Sequence, residues 1–396
     1  MTLPNVRGGV VDNGPVTRIV PISNACRDYA WGQPGGISRV LGRAETDARE
    51  AELWLGAHPG SPCRTDDERW ETLQDWESDT GQELPYLLKI LAPAKPLSLQ
   101  AHPSAEQAEL GSAREDERGI AVDAPHRSYK DRHAKPELIV AVEDGFEALC
   151  GFRPLSQSRA EVAALRELAD DPAPYERWAE LLEGEDPLRQ AVAWLLSDEP
   201  DAEALVQDLP TTAGRDPERF ATVLRLAEDY PDDAGVAVAL MLNHVTLAAG
   251  ECLWLPAGNI HAYLEGLGVE LMGPSDNVLR GGMTPKHVDV EELLAVLDTT
   301  DGEPPYLTPE DEGGTVARYR PASLPSGEGV PFELRVVTGD ASVATGSPAI
   351  VLVLDGSFEV GVDDESRAVG CGEAVFVTEP GELRLTGSGR AYVASA

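Results

Sequence analysis

The chain has 396 residues, with 69 acidic against 32 basic side chains and a formal net charge of −37. Its 42% apolar content excludes a disordered acidic tail, which cannot build a core, and the length predicts two or three domains of roughly 150 residues each. The charge disfavours nucleic acid and anionic membrane, which need basic surface, but permits a small basic pocket for an anionic substrate.

In chain order, the opening MTLPNVRGGVVDNGPV has no apolar core of the signal-peptide kind. Residues 16–155 are rich in Gly and Pro between short apolar runs, Tyr86–Leu91, Leu97–Leu99 and Leu138–Val142 among them, which read as strands and turns. From Ser156 to Pro231 the spacing is helical. Ser158-Arg159-Ala160-Glu161 reads as a capping box, followed by Val162, Leu165 and Leu168. Trp178, Leu181 and Leu182, then Val192, Leu195 and Leu196, continue the block. Asp216-Pro217 reads as an N-cap and first-turn proline ahead of Phe220, Val223 and Leu224. Strand and turn character is expected again from Gly235. The apolar run Val236–Leu242 is too short to span a bilayer. A Pro-rich, charged stretch from Thr299 to Glu312 reads as a linker, with short strands after it. Gly250-Glu251-Cys252-Leu253-Trp254-Leu255 is echoed 122 positions later by Gly372-Glu373-Ala374-Val375-Phe376-Val377, which suggests two β units. The first copy continues into His261 and the second has Leu383 at that offset, so metal chemistry is expected in the first alone.

The five cysteines are scattered, with no CxxC pair. Neither a disulfide framework nor a cysteine zinc knuckle is indicated, and a reducing, cytoplasmic setting is the expectation.

Three segments place polar side chains on one face of a strand. Ser98, Gln100 and His102 alternate with Leu97, Leu99 and Ala101; Lys135 and Glu137 share a face, as do His261 and Tyr263. Two histidines, a carboxylate and an amide oxygen make a mixed N/O set of the kind zinc takes, with room for water or substrate. Spacing alone also allows each histidine a structural role, the simplest reading of His58, His126, His244 and His287. Only five of the basic residues are lysines, and four of them, Lys89, Lys95, Lys135 and Lys286, fall in or beside these segments. Lysine can give up its proton when desolvated and arginine effectively cannot.

These segments resemble type I mannose-6-phosphate isomerases, zinc enzymes of the cupin superfamily. The resemblance is carried by Tyr29-Ala30-Trp31-Gly32, by residues 51–59 (AELWLGAHP) and by residues 84–103 (LPYLLKILAPAKPLSLQAHP). It continues through Lys135-Pro136-Glu137 and the block 253–294, which contains PAGNIHAYLEG and SDNVLRGGMTPKHVDVEELL. The resemblance implies one zinc per chain on Gln100, His102, Glu137 and His261, and a catalytic role for Arg280. It places Lys89, Ser98, Lys135, Tyr263, Glu270 and Lys286 in or near a sugar-phosphate pocket. The family pattern reads His-Lys-Pro-Glu before the carboxylate ligand, whereas Ala134 precedes Lys135 here and the histidine is His133. One position away on a strand is the opposite face, so His133 is not expected to carry the proton.

The fold so implied is mainly β with a helical insertion. A cupin jelly-roll barrel spans 1–155 and 235–300, an all-helical domain spans 156–234, and a smaller jelly-roll-like domain spans 301–396. The expected reaction interconverts mannose 6-phosphate and fructose 6-phosphate through a cis-enediol, with Lys135 preferred to Glu270 as the base. A cupin isomerase for another sugar phosphate and a non-catalytic sugar- or metal-binding cupin are the rival readings. A monomer is expected.

Overall fold

The computed structural model describes residues 18–396; the opening segment read above against a signal peptide lies outside them. Two five-stranded antiparallel sheets hold the polar motifs. One runs Leu242–Leu247, Phe146–Phe152, His261–Glu265, Gln100–Ala101, Leu279–Arg280. The other runs Cys252–Leu255, Glu137–Ala141, Gly268–Met272, Leu87–Leu91, Glu52–Leu55.

Side-chain alternation decides what each face does. In Glu137–Ala141, Ile139 and Ala141 pack with Phe146, Ala148 and Tyr263 of the facing sheet. Leu138 and Val140 belong to a second core with Ile350, Leu352 and Phe376 of the C-terminal unit. This sheet is therefore covered on both sides, which is why LLKIL and ELIVA are buried at every position, and any charged residue on its inner face is removed from water. The other sheet turns Leu149, Ala262 and Leu264 outward, onto a core shared with Trp178, Leu182 and Leu209 of the helices. The order of layers is helices, sheet, site, sheet, C-terminal β-structure.

Six helices run from Leu155 to Leu240, and their boundaries correct three readings. Ser158 is not a cap: the helix Leu155–Leu168 begins one turn earlier, after Pro154, and buries Ser158. Asp216 accepts from the Arg219 amide and closes a single turn, while the helix Ala221–Asp229 starts beyond buried Phe220. Gly235 opens the helix Ala234–Leu240 rather than a strand, its amide donating to the Asp233 cap. A Cβ on Gly235 would lie 2.8 Å from the Gly282 Cα, so glycine lets this helix start press against the turn after Leu279–Arg280. In each case tertiary packing overrides a local signal.

Other segments also differ from expectation. Leu97–Leu99 is irregular, and ladder pairing is limited to Gln100–Ala101. The 299–312 stretch is no free linker: Trp254 N donates to Pro305 O and Leu307 N to Cys252 O, both at 2.9 Å, extending the sheet edge. Ile19–Ser23 pairs with Ala374–Val377, so the first described strand joins the eleven-stranded C-terminal sheet, not the pair that holds the site. Gly250 and Gly372 adopt φ of 86° and 81° ahead of Cys252–Leu255 and Ala374–Val377, so the two copies of the sequence repeat share a local geometry. Among the described residues all five cysteines are free, and no helix is long and apolar enough to cross a membrane.

Trp76 meets Phe376 edge-on, with ring centroids 4.8 Å apart, in the core that also takes Leu138 and Val140. Trp76→Ala is expected to cost about 3–5 kcal/mol, the range for truncating a buried aromatic. Urea unfolding measures it; a loss below ~1 kcal/mol would show that the contact is dispensable.

Candidate active site

Register assembles the site from both sheets. On one, Arg280 pairs with Gln100 and Gln100 with His261, a row across three strands. On the other, Trp54 pairs with Lys89 and Lys89 with Glu270. Directly paired residues share a face, so each row presents its side chains together. Glu137 begins its strand between Leu255 and Met272.

His102, Glu137 and His261 converge with their ligating atoms within 4.8 Å of one another, each residue 1% exposed. Glu137 Oε1 is 3.4 Å from His102 Nε2 and Oε2 is 3.2 Å from His261 Nε2. Neither contact is aligned as a hydrogen bond, and His102 Nε2, His261 Nε2 and Glu137 Oε2 are buried without a partner among the described residues. Orphaned buried polar atoms are costly, and a divalent cation would satisfy all three. His102 Nδ1 lies 2.7 Å from the Asn277 carbonyl and His261 Nδ1 3.0 Å from the Asn259 carbonyl. A carbonyl only accepts, so each Nδ1 carries the proton and each Nε2 keeps its lone pair for a metal. Burial, then Lys135, lowers the His102 pKa to about 4. Burial alone would raise Glu137, but Lys135 and His102 hold its carboxyl well below the usual range. Both are therefore in their ligating forms at neutral pH. The N/N/O donor set suits a zinc-type ion, and half-buried Gln100 stands beside His261 in the row.

Lys135 Nζ is 2.9 Å from Glu137 Oε1. Lys89 Nζ is 3.4 Å from Glu270 Oε2 and 4.8 Å from the centre of the Trp54 ring. The Tyr263 hydroxyl donates to Glu270 Oε1 at 3.0 Å, and Trp54 Nε1 donates to Glu52 at 2.5 Å. Burial, then Glu137, pushes the Glu270 carboxyl up to about 7. Burial would lower Lys89, but the carboxylates of Glu52, Glu270 and Glu137 outweigh it and hold the ammonium charged. An acid near neutrality thus sits beside a permanent cation.

Arg280 is half-buried and its side chain makes no hydrogen bond or ion pair among the described residues; burial lowers its pKa. Lys286 is lowered by burial and then by Arg280. Two neighbouring cations with no facing carboxylate among the described residues leave a place for an anion. Ser98 is half-buried just ahead of Gln100.

Some sequence candidates lie apart. Lys95 pairs with Asp229 at the surface. His133 is exposed and lines a cavity of about 1200 Å³ that abuts the site at Pro136. His58, read as structural or superficial, is buried against the Trp54 ring and 3.4 Å from Asp276. Glu52 and Asn277 were not singled out by sequence reasoning; the alternation of Glu52 and Trp54 about Leu53 could have signalled the first.

Comparison with known proteins agrees with this arrangement. The family model "Phosphomannose isomerase type I, catalytic domain" matches residues 19–155. The mannose-6-phosphate isomerase of Salmonella typhimurium is 31% identical over 395 residues, covering 93% of this chain and 97% of that protein. That of Escherichia coli is 36% identical over 299 residues, covering 69% and 73%. A crystal structure of a variant of the Salmonella typhimurium phosphomannose isomerase superposes with a TM-score of 0.84 at 28% identity, over 96% of this chain and 99% of that one. A crystal structure of mannose 6-phosphate isomerase bound with zinc and yttrium gives 0.82 at 29% identity, over 96% and 99%. With a relative matched along nearly its whole length and the same fold, this chain belongs to the type I mannose-6-phosphate isomerase family of enzymes.

Proposed function

We propose that the chain interconverts D-mannose 6-phosphate and D-fructose 6-phosphate by zinc-dependent proton transfer through a cis-enediol. The observation that carries this is the buried His102/Glu137/His261 set with orphaned ligating atoms, facing a carboxyl held near neutrality. His102, Glu137 and His261, with the Gln100 side-chain oxygen, would hold the ion. When bound, zinc supplies an electrophile for negative charge developing on the sugar oxygens. A related solved structure that contains zinc supports the choice of metal. A coupled assay on mannose 6-phosphate, with and without a chelator, tests the reading; full activity in a metal-free preparation would sink it.

The chain's own groups divide the remaining work. We assign the base to Glu270, although the sequence alone leans to Lys135. A buried carboxyl near neutrality can both take and return a proton at physiological pH, whereas Lys135 is ion-paired to Glu137. Glu270 removes the C2 proton of the aldose and returns it to C1. Lys135 gives a proton to O1 and recovers one from O2, so the enediol forms and collapses with protons balanced. Lys89 keeps Glu270 in place, and the Tyr263 hydroxyl orients it and contacts the sugar. Arg280 steadies the enediolate oxygens, Lys286 receives the phosphate, and Ser98 contributes a hydroxyl to the sugar.

We read the two facing sheets as a cupin-type barrel, interrupted by the helical unit, and the C-terminal β unit as a second, jelly-roll-like one. The shared geometry at Gly250 and Gly372 supports this. The exposed large apolar side chains, Tyr29, Leu110, Val122 and Tyr306, come from four separate segments, consistent with a monomer, and a cytoplasmic enzyme fits the free cysteines.

Arg280→Lys is expected to keep the fold and metal but lose about 10²-fold in kcat, the scale for removing one donor to a developing oxyanion. Lysine keeps the charge without the planar fork. Steady-state kinetics with metal analysis checks it; parental kcat would make Arg280 a structural cation.

A further inference from the structure

We infer that Asn277 is a positioning residue that sets metal affinity by locking two separate ligand-bearing segments to each other. The inference rests on the metal reading above. Asn277 is fully buried, and all of its side-chain polar capacity is used. Its Nδ2 donates to Asp131 O at 3.0 Å, Asp131 Oδ1 at 3.2 Å and His133 O at 2.9 Å. Its Oδ1 accepts from the amides of Lys130 at 2.7 Å and Asp131 at 3.1 Å. The side chain therefore fixes residues 130–133, the loop that leads directly into Lys135 and Glu137.

The backbone of the same residue reaches the other segment. Its carbonyl is the acceptor that orients His102 through Nδ1. His261, by contrast, is oriented by Asn259, two residues earlier in its own turn. The His102 ring thus depends on a residue 175 positions away, and that residue simultaneously holds the Glu137 loop.

Asp131 answers Asn277 from the other side. Its carboxylate accepts from the Ser275 hydroxyl at 2.8 Å, the His133 amide at 2.9 Å and the Asp276 amide at 2.9 Å. Ser275, itself buried, also accepts from the Asn277 amide at 3.2 Å. Gly273 closes the seam by donating to Pro136 O at 3.0 Å. Groups that orient ligands in this way change metal affinity by about 10–100-fold when altered.

The test is metal affinity of the full chain, by Zn²⁺ competition against a chromophoric chelator, together with the visible spectrum of the Co²⁺-loaded protein. Asn277→Asp sets a carboxylate against the Asp131 carboxylate and two carbonyls. It is expected to weaken Zn²⁺ binding about 10–100-fold and to alter the Co²⁺ bands, with parental circular dichroism. Ser275→Ala removes one strut and is expected to weaken binding in the same direction by less. Should Asn277→Asp fail to fold, Ser275→Ala decides alone. Parental affinity and an unchanged Co²⁺ spectrum in the folded variants would overturn the inference. A parent chain that binds no metal in the same titration would overturn the metal reading itself, and this inference with it.

Discussion

Replacing His261 with alanine is expected to abolish both metal retention and isomerisation. The site has three buried ligating groups whose atoms lie within 4.8 Å, and removing His261 leaves one imidazole and Glu137, with only the neutral Gln100 oxygen beside them, too few strong donors to hold an ion against dilution. A metal electrophile is worth several kcal/mol of charge stabilisation; at 1.36 kcal/mol per tenfold, the loss is roughly 10³-fold or more. The fold should survive, because His261 is held by its own turn and Ala262 and Leu264 still anchor the strand in the core shared with the helices. Metal content per chain and turnover, measured on the same preparation, check this. Parental turnover in a variant without metal would remove the metal from the reaction.

Glu270→Gln is expected to stop exchange of the substrate C2 proton with solvent while leaving metal content unchanged. General-base catalysis contributes about 10²–10⁴-fold, and the amide keeps the shape but cannot take the proton. The parent should lose kcat/KM as pH falls below about 7, where burial has placed the carboxyl, because the protonated form is not a base. The variant should lack that limb. Lys135→Met is the comparison: it should keep slow C2 exchange and lose net conversion, since proton movement between O1 and O2 is impaired. If instead Lys135→Met ends C2 exchange and Glu270→Gln only weakens binding, the assignments exchange places.

Much of the site was legible in the residues. Alternation about Ala101, Pro136 and Ala262 put Gln100, His102, Lys135, Glu137, His261 and Tyr263 on polar faces, and a side-chain period of two survives any arrangement of the strands. Helix boundaries were less legible. At Ser158, Asp216 and Gly235 the local signals were sound as chemistry, but burial of Phe220 and the contact of Gly235 with Gly282 placed the ends elsewhere. The Thr299–Glu312 stretch carried linker composition, yet its backbone completes a sheet edge.

The sequence by itself determined which side chains could do chemistry and where a helical block interrupts the strands. Only the tertiary structure decided how those side chains are charged and which of them meet. Glu270 is displaced to about 7 because both faces of its sheet are covered and Glu137 lies nearby, and neither condition is local in the chain. Asn277 reaches His102 from 175 positions away and the loop before Glu137 from 144 to 147, through hydrogen bonds that exist only once both sheets are closed. Periodicity reports which way a side chain points; desolvation and pairing depend on what the rest of the fold brings against it.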